Sequence, residues 1–251
     1  MSVLPIELRN RQGERLDHHY SAAGDDAGAA PRTLVLVGHG VTSHWDRPWQ
    51  TGLRDALAAA GVSSVLISFA GNGRSGGRFE DVTPSKEADD LASVIDAVTA
   101  WGVERVVYAG HSMGGAVGVL RASVDPRIAA LVSLAGMFHV DAFMQRTFGH
   151  LMPGEGLMLD KPGCTWNLSL EADARRLGSL HAQAALVQAP WLLVHGDDDE
   201  LVPLQDAIDA RAAAGGRPDL VVLPGVDHRF TGAIPAMSMA VVEWLVPRLT
   251  P

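Results

Sequence analysis

The chain has 251 residues, 47% hydrophobic and 20% charged, an ordinary globular balance that can build a large core in one α/β domain. Its 20 Lys and Arg against 29 Asp and Glu give a net charge of −9 with no basic cluster, which argues against nucleic acid or an anionic membrane surface as a partner. The lone Cys164 excludes an internal disulfide, no apolar run is long enough for a membrane span, and residues 1–9 lack a signal-peptide pattern, so a cytoplasmic location is expected.

Residues 3–8 and 14–20 alternate apolar and polar around Asn10-Arg11-Gln12-Gly13, which predicts an N-terminal hairpin at a sheet edge. The small-residue, acidic stretch from Ser21 to Pro31 reads as a loop. Thr33 to Val37 is a continuous apolar run, as in a parallel strand buried on both faces. Asp46 is a plausible N-cap for a helix with Trp49, Leu53, Leu57 and Ala60 near one face, stopped by Gly61. A strand at Ser63 to Phe69 leads into a glycine-rich loop, and Thr83-Pro84 opens a second helix striped by Ala88, Leu91, Ile95 and Val98.

Next comes Arg105-Val106-Val107-Tyr108-Ala109-Gly110-His111-Ser112-Met113-Gly114-Gly115: a short buried strand, then Gly-x-Ser-x-Gly, then a helix of small residues. That context is the one a nucleophile elbow requires, with Ser112 held in a strained turn and the Met113 N–H aimed where an oxyanion would form. A strand follows at Ile128 to Leu134. From Phe138 to about Val187 the alternation breaks up among prolines and glycines and reads as an insertion. Strand and helix signals resume with Trp191 to Val194, a helix from about Pro203, a strand at Leu220 to Leu223 and a final helix marked by Ile234, Val241, Leu245 and Leu249. Strands separated by helices predict a mostly parallel sheet with helices on both faces.

Active sites of such sheets gather at the carboxyl ends of the strands. Three more loops there carry chemistry: His39-Gly40-Val41, the acidic run His195 to Pro203, and Pro224 to Phe230 with His228. The order Ser112, acid, His228 is that of a serine hydrolase triad on an α/β-hydrolase sheet.

On Gly-His-Ser-Met-Gly-Gly at 110–115, His-Gly-x-x-Asp-x-x-Val-Pro at 195–203 and Gly-x-Asp-His at 225–228, the chain resembles the α/β-hydrolases of the serine esterase and lipase kind, from about residue 31 to the end. The His39-Gly40-Val41 segment with Asp46-Arg47-Pro48-Trp49 is similar to the oxyanion loop of small-capped feruloyl or cinnamoyl esterase-like and acylglycerol lipase-like members. The resemblance implies a single domain over 1–251 with a small cap at about 138–187, and a triad of Ser112, Asp199 and His228. It also implies oxyanion donors at the Val41 and Met113 N–H groups, no cofactor, and a small-molecule carboxylic ester as substrate. In the family pattern that the chain resembles, the acid stands four residues before Pro203, which selects Asp199 over Asp197, while Asp197, Asp198 and Glu200 read as a solvated cluster.

Several competing signals are weaker. Gly71-Asn72-Gly73-Arg74-Ser75-Gly76 matches a dinucleotide fingerprint, but its helix waits until Pro84. The spacing of His39, His44 and Asp46 matches no strong zinc pattern, and Cys164 has no helix N-terminus to activate it. A thioesterase, an amidase or peptidase, a cofactor-free haloperoxidase, or a non-catalytic ligand-binding protein of the same fold would present the same signature. Neither the acyl and alcohol groups nor the oligomeric state follow from these residues.

Overall fold

The computed structural model describes residues 4–23 and 29–249. Residues 24–28 of the loop expected from Ser21 to Pro31, and Val3 of the expected hairpin, lie outside them. Seven strands form one sheet: β1 (His18–Ser21), β2 (Thr33–Gly38), β3 (Ser63–Ile67), β4 (Arg105–His111), β5 (Ile128–Leu134), β6 (Trp191–Gly196) and β7 (Asp219–Leu223). Their order is β1-β3-β2-β4-β5-β6-β7, and only β1 runs antiparallel to its neighbour.

The two-residue period of the central strands divides the core. Leu34, Leu36, Val106 and Tyr108 point to one face, where Leu91 and Ile95 of α2 (Pro84–Trp101) and Ala116 and Val117 of α3 (Met113–Ala122) cover them. Val35, Val37, Val107 and Ala109 point to the other, under Leu53 and Leu57 of α1 (Pro48–Ala59) and Val241 and Leu245 of α8 (Ile234–Leu249). This is the α/β-hydrolase fold.

Three expectations change in detail. The N-terminal hairpin reduces to a single bridge between Arg9 and Arg15, because Leu8 and Leu16 are fully buried and Asn10 Oδ1 closes a tight turn on the N–H groups of Gln12 and Glu14. Asp46 does not cap α1: the N-cap is Arg47, whose extended backbone makes no side-chain bond, and Pro48 removes one of the donors a cap would satisfy. Between β5 and β6 the chain is more helical than its Gly and Pro content suggests, with α4 (Val140–Phe148), a 3-10 turn (Met158–Asp160), α5 (Leu168–Leu177) and α6 (His181–Leu186). The last crossover carries α7 (Leu204–Ala213).

Candidate active site

Ser112 sits between β4 and α3 with φ 54 and ψ −118, a conformation that costs an L-residue energy and is held only by its surroundings. Glycines supply the room. A Cβ on Gly114 would stand 2.6 Å from the His39 carbonyl oxygen, and one on Gly110 would collide with the Gly114 carbonyl. The strand order brings the loops after β2, β4, β6 and β7 to the same sheet edge.

The loop after β6 positions Asp199. Its side chain is fully buried, with Oδ1 accepting the N–H groups of Leu201 at 2.9 Å and Val202 at 2.8 Å. Oδ2 accepts from His228 Nδ1 at 2.8 Å and lies 3.3 Å from His195 Nε2. Burial works against ionisation here, but the hydrogen bonds from His195 and His228 outweigh it and hold the carboxyl well below the ordinary carboxylate range. Asp199 is therefore an anion bound to the ring of His228. The neighbouring acids Asp197, Asp198 and Glu200 are exposed, as expected, and two of them also hold the adjoining loop: Asp197 Oδ1 accepts the Gly225 N–H at 2.6 Å and Glu200 Oε2 accepts the His228 N–H at 3.3 Å.

Ser112 and His228 line one cavity of about 430 Å³ together with Gly40, Val41, Trp49 and His111, a volume in the range of small-molecule sites. Ser112 Oγ has no hydrogen-bond partner among the described residues. Of the five residues singled out beforehand, Ser112, His228 and Val41 border this cavity; Asp199 stands behind His228, and Met113 is buried at the first position of α3.

Two further histidines support the site without having been singled out for it. His111 is buried and donates Nε2–H to the His228 carbonyl at 2.8 Å, with the two rings 4.7 Å apart. Burial, and after it the adjacent His228, push the His111 imidazole down to about 3. His195 Nε2 approaches the same Asp199 oxygen that His228 holds, at 3.3 Å, and is 2.8 Å from the Val202 carbonyl. Both had a signal in the sequence: His111 stands inside the elbow motif, and His195 opens the His-Gly-x-x-Asp-x-x-Val-Pro segment.

His39 packs the loop after β2. Nδ1–H donates to the Gly40 carbonyl at 2.8 Å and Nε2 accepts the Phe69 N–H at 3.0 Å, leaving no lone pair for a metal. Burial lowers its pKa to about 4, so the ring is neutral. Away from the cavity, His139, His181 and Asp209 bring potential ligand atoms within 4.8 Å of one another. There His139 Nε2 is bonded to Asp209 Oδ2 at 2.9 Å, and Gln205 holds the other Asp209 oxygen at 2.7 Å, a seam joining α4 to α7. The Gly71–Gly76 segment is a backbone turn, closed by Gly71 N–H to the Gly76 carbonyl at 2.8 Å, and presents no helix N-terminus to a phosphate. Burial pushes the Cys164 thiol up, away from the reactive thiolate.

The sheet and the loops at its edge define an α/β-hydrolase of the serine esterase and lipase-like kind. Residues 29–175, more than half of the chain, match the family described as serine aminopeptidase, S33, and the chain belongs to that family. It is 29% identical over 231 residues to an uncharacterized protein of Mycobacterium tuberculosis, covering 90% of this chain and 74% of that one. It is 27% identical over 258 residues to the monoacylglycerol lipase of Mycolicibacterium smegmatis, covering 87% of this chain and 90% of the lipase. Among solved structures, ferulic acid bound to Est1E from Butyrivibrio proteoclasticus matches with a TM-score of 0.82 and 23% identity, over 96% of this chain and 98% of that one. Paleococcus ferrophilus monoacylglycerol lipase matches with a TM-score of 0.70 and 19% identity, over 92% and 98%. At these identities the two structures share the fold with this chain.

Proposed function

We propose that the protein hydrolyses carboxylic esters through a Ser112–His228–Asp199 triad and an acyl-enzyme. The observation that carries this reading is the buried Asp199–His228 pair at 2.8 Å, facing the same cavity as a serine held at positive φ. Ser112 Oγ attacks the acyl carbon as its proton passes to His228 Nε2. The tetrahedral oxyanion collapses, the carbon–oxygen bond to the alcohol breaks, and Nε2 returns the proton to the departing alkoxide. Water then gives its proton to Nε2 and attacks the acyl-enzyme; the acid leaves and Ser112 regains its proton. Asp199 holds the ring orientation and stabilises the imidazolium, and the anchored His111 fixes the backbone from which the ring projects.

The oxyanion falls to the N–H groups of Met113, the first residue of α3, and Val41, in the loop that Gly40 lets approach Ser112. Each such donor contributes about 3 kcal/mol to transition-state binding. The cavity wall adds apolar surface from Trp49, Phe143, Leu159 and Ile234, suited to an acyl or aryl group. Phe143 and Leu159 come from the stretch between β5 and β6, which supports its role as a small cap. The match to monoacylglycerol lipase favours an ester.

The family description raises aminopeptidase activity as a second reading. An aminopeptidase must hold a substrate ammonium, for which a carboxylate in the cavity is the natural partner. None of the residues lining this cavity is acidic, whereas three are cationic, so the geometry favours the ester.

Turnover of aryl and acylglycerol esters by the wild type and by Ser112→Ala tests the assignment. The account expects a loss of roughly 10⁴-fold or more in the variant. Turnover by Ser112→Ala near the wild-type rate would remove Ser112 as nucleophile.

A further inference from the structure

The catalytic reading leaves one feature of the cavity unused. Arg47, Lys161 and Arg229 all line it, drawn from three separate parts of the chain. Arg47 precedes α1, Lys161 follows the 3-10 turn at Met158–Asp160, and Arg229 follows His228. No side chain of the three forms an ion pair with a carboxylate among the described residues. The acids adjacent in sequence, Asp46 beside Arg47 and Asp160 beside Lys161, are exposed and do not line the cavity, and those around His228 are engaged otherwise. Asp199 is bound to two histidines and Glu200 to the His228 N–H, while Asp227 Oδ1 accepts the N–H groups of Arg229 at 3.1 Å and Thr231 at 2.8 Å.

Lys161 is the best positioned of the three. It is partly buried, and its Nζ donates at 2.7 Å to the carbonyl of Thr42, the residue after Val41. That bond uses one of three ammonium protons. Burial first, and then the Arg47 and Arg229 charges, pull the Lys161 pKa down against an upward pull from Cys164, as expected of cations gathered with no anion between them. Converging cations cost energy through mutual repulsion and desolvation, and an anionic ligand reverses that cost. The chain has a net charge of −9, yet this cavity is lined by three Lys or Arg side chains and no acid.

Resting on the ester-hydrolase reading above, we propose that the substrate is an ester bearing a carboxylate or phosphate, which the Arg47–Lys161–Arg229 cluster binds while Ser112 meets the acyl carbon. The negative group selects the substrate, and the apolar wall takes the remaining carbon skeleton. Because Lys161 also ties the chain after the 3-10 turn to the loop carrying Val41, an anion held there bears directly on the oxyanion side of the cavity.

The experiment compares charged esters with neutral isosteres on the full chain. For an anion in the acyl part, the probes are p-nitrophenyl hemiglutarate and p-nitrophenyl methyl glutarate. For one in the alcohol part they are p-acetoxybenzoate or p-acetoxyphenyl phosphate and methyl p-acetoxybenzoate. At least one charged ester is expected to exceed its isostere in kcat/KM by roughly ten- to hundredfold, the range of a charge-assisted hydrogen bond. The responding pair shows which side of the scissile bond carries the anion. That ratio, in which general losses of activity cancel, is expected to fall towards one in Arg47→Gln and Lys161→Gln, and in Arg229→Gln, which leaves the Lys161–Thr42 bond intact. Added salt should lower it in the wild type.

A ratio of one or less for every charged ester overturns the inference, and Ser112-dependent turnover of the neutral esters would then leave the hydrolase reading standing. If no ester is turned over, the hydrolase reading fails by itself. Dissociation constants of hemiglutarate and methyl glutarate on folded Ser112→Ala then decide the anion site, tighter binding of the charged ester supporting it and equal binding overturning it.

Discussion

His111 is a positioning residue: its Nε2–H holds the carbonyl of His228, and no other bond from its side chain is needed for the chemistry. His111→Gln, which keeps a donor but not the ring, should lower kcat by roughly ten- to hundredfold through misplacement of the base, with a smaller change in KM. The same variant should alter acid stability. The folded ring titrates at about 3 against an ordinary 6.5, so protons favour the unfolded chain and stability is lost as pH falls from 6.5 towards 3. Urea midpoints measured across that window should decline less steeply in His111→Gln than in the wild type; parallel declines would show that His111 does not titrate as described.

Asp199 titrates lower. Its folded pKa is depressed, so the stability it supplies is complete above the ordinary carboxylate pKa and is lost as pH drops below it. Asp199→Asn should therefore flatten the decline in unfolding free energy below about pH 4. An unchanged slope there would mean that the carboxyl is not held ionised by its two histidines. Asp199 was expected because the family pattern that the chain resembles sets the acid four residues before Pro203. His195 opens the same His-Gly-x-x-Asp-x-x-Val-Pro segment, but its approach to Asp199 was not legible, since that contact is set by the folded loop.

At the scale of elements, the elbow depends on backbone contact. Ala at position 114 would place a Cβ 2.6 Å from the His39 carbonyl and 3.0 Å from that of Gly38, pushing apart the two loops that meet at Ser112. Gly114→Ala should cost about 1–3 kcal/mol of stability, in the range of overpacked cores, and lower ester turnover as well. Unchanged thermal unfolding and activity would mean that the loops absorb the methyl group freely. The apolar runs of β2, β4 and β5 and the Thr83 start of α2 were readable because each follows from local pattern, and Thr83 Oγ1 does accept the Lys86 N–H at 3.0 Å. The expected hairpin and the Asp46 cap were decided instead by tertiary contacts that local pattern does not contain. The short helices α4 to α6 were hidden by the glycines and prolines between them.

For the whole molecule, the sheet order gathers loops separated by more than a hundred residues at one edge, which is why the order Ser112, Asp199, His228 could be read from motifs known to meet there. The lining of the cavity could not. Arg47, Lys161 and Arg229 have no shared motif, and only the folded chain brings them to one cavity. On this account the motifs carry the proposed reaction, whereas the proposed selectivity rests on residues that converge through the fold. The preference for charged esters belongs to this scale, because it depends on three distant segments acting on one ligand.

The central claim is that Ser112 is the nucleophile. Treating the folded, active protein with a fluorophosphonate and mapping the adduct by mass spectrometry tests it most directly. The account predicts one phosphonyl group, on Ser112, with ester turnover lost in proportion to labelling. An adduct on another serine that accompanies the loss, or full turnover after Ser112 has been phosphonylated, would contradict it.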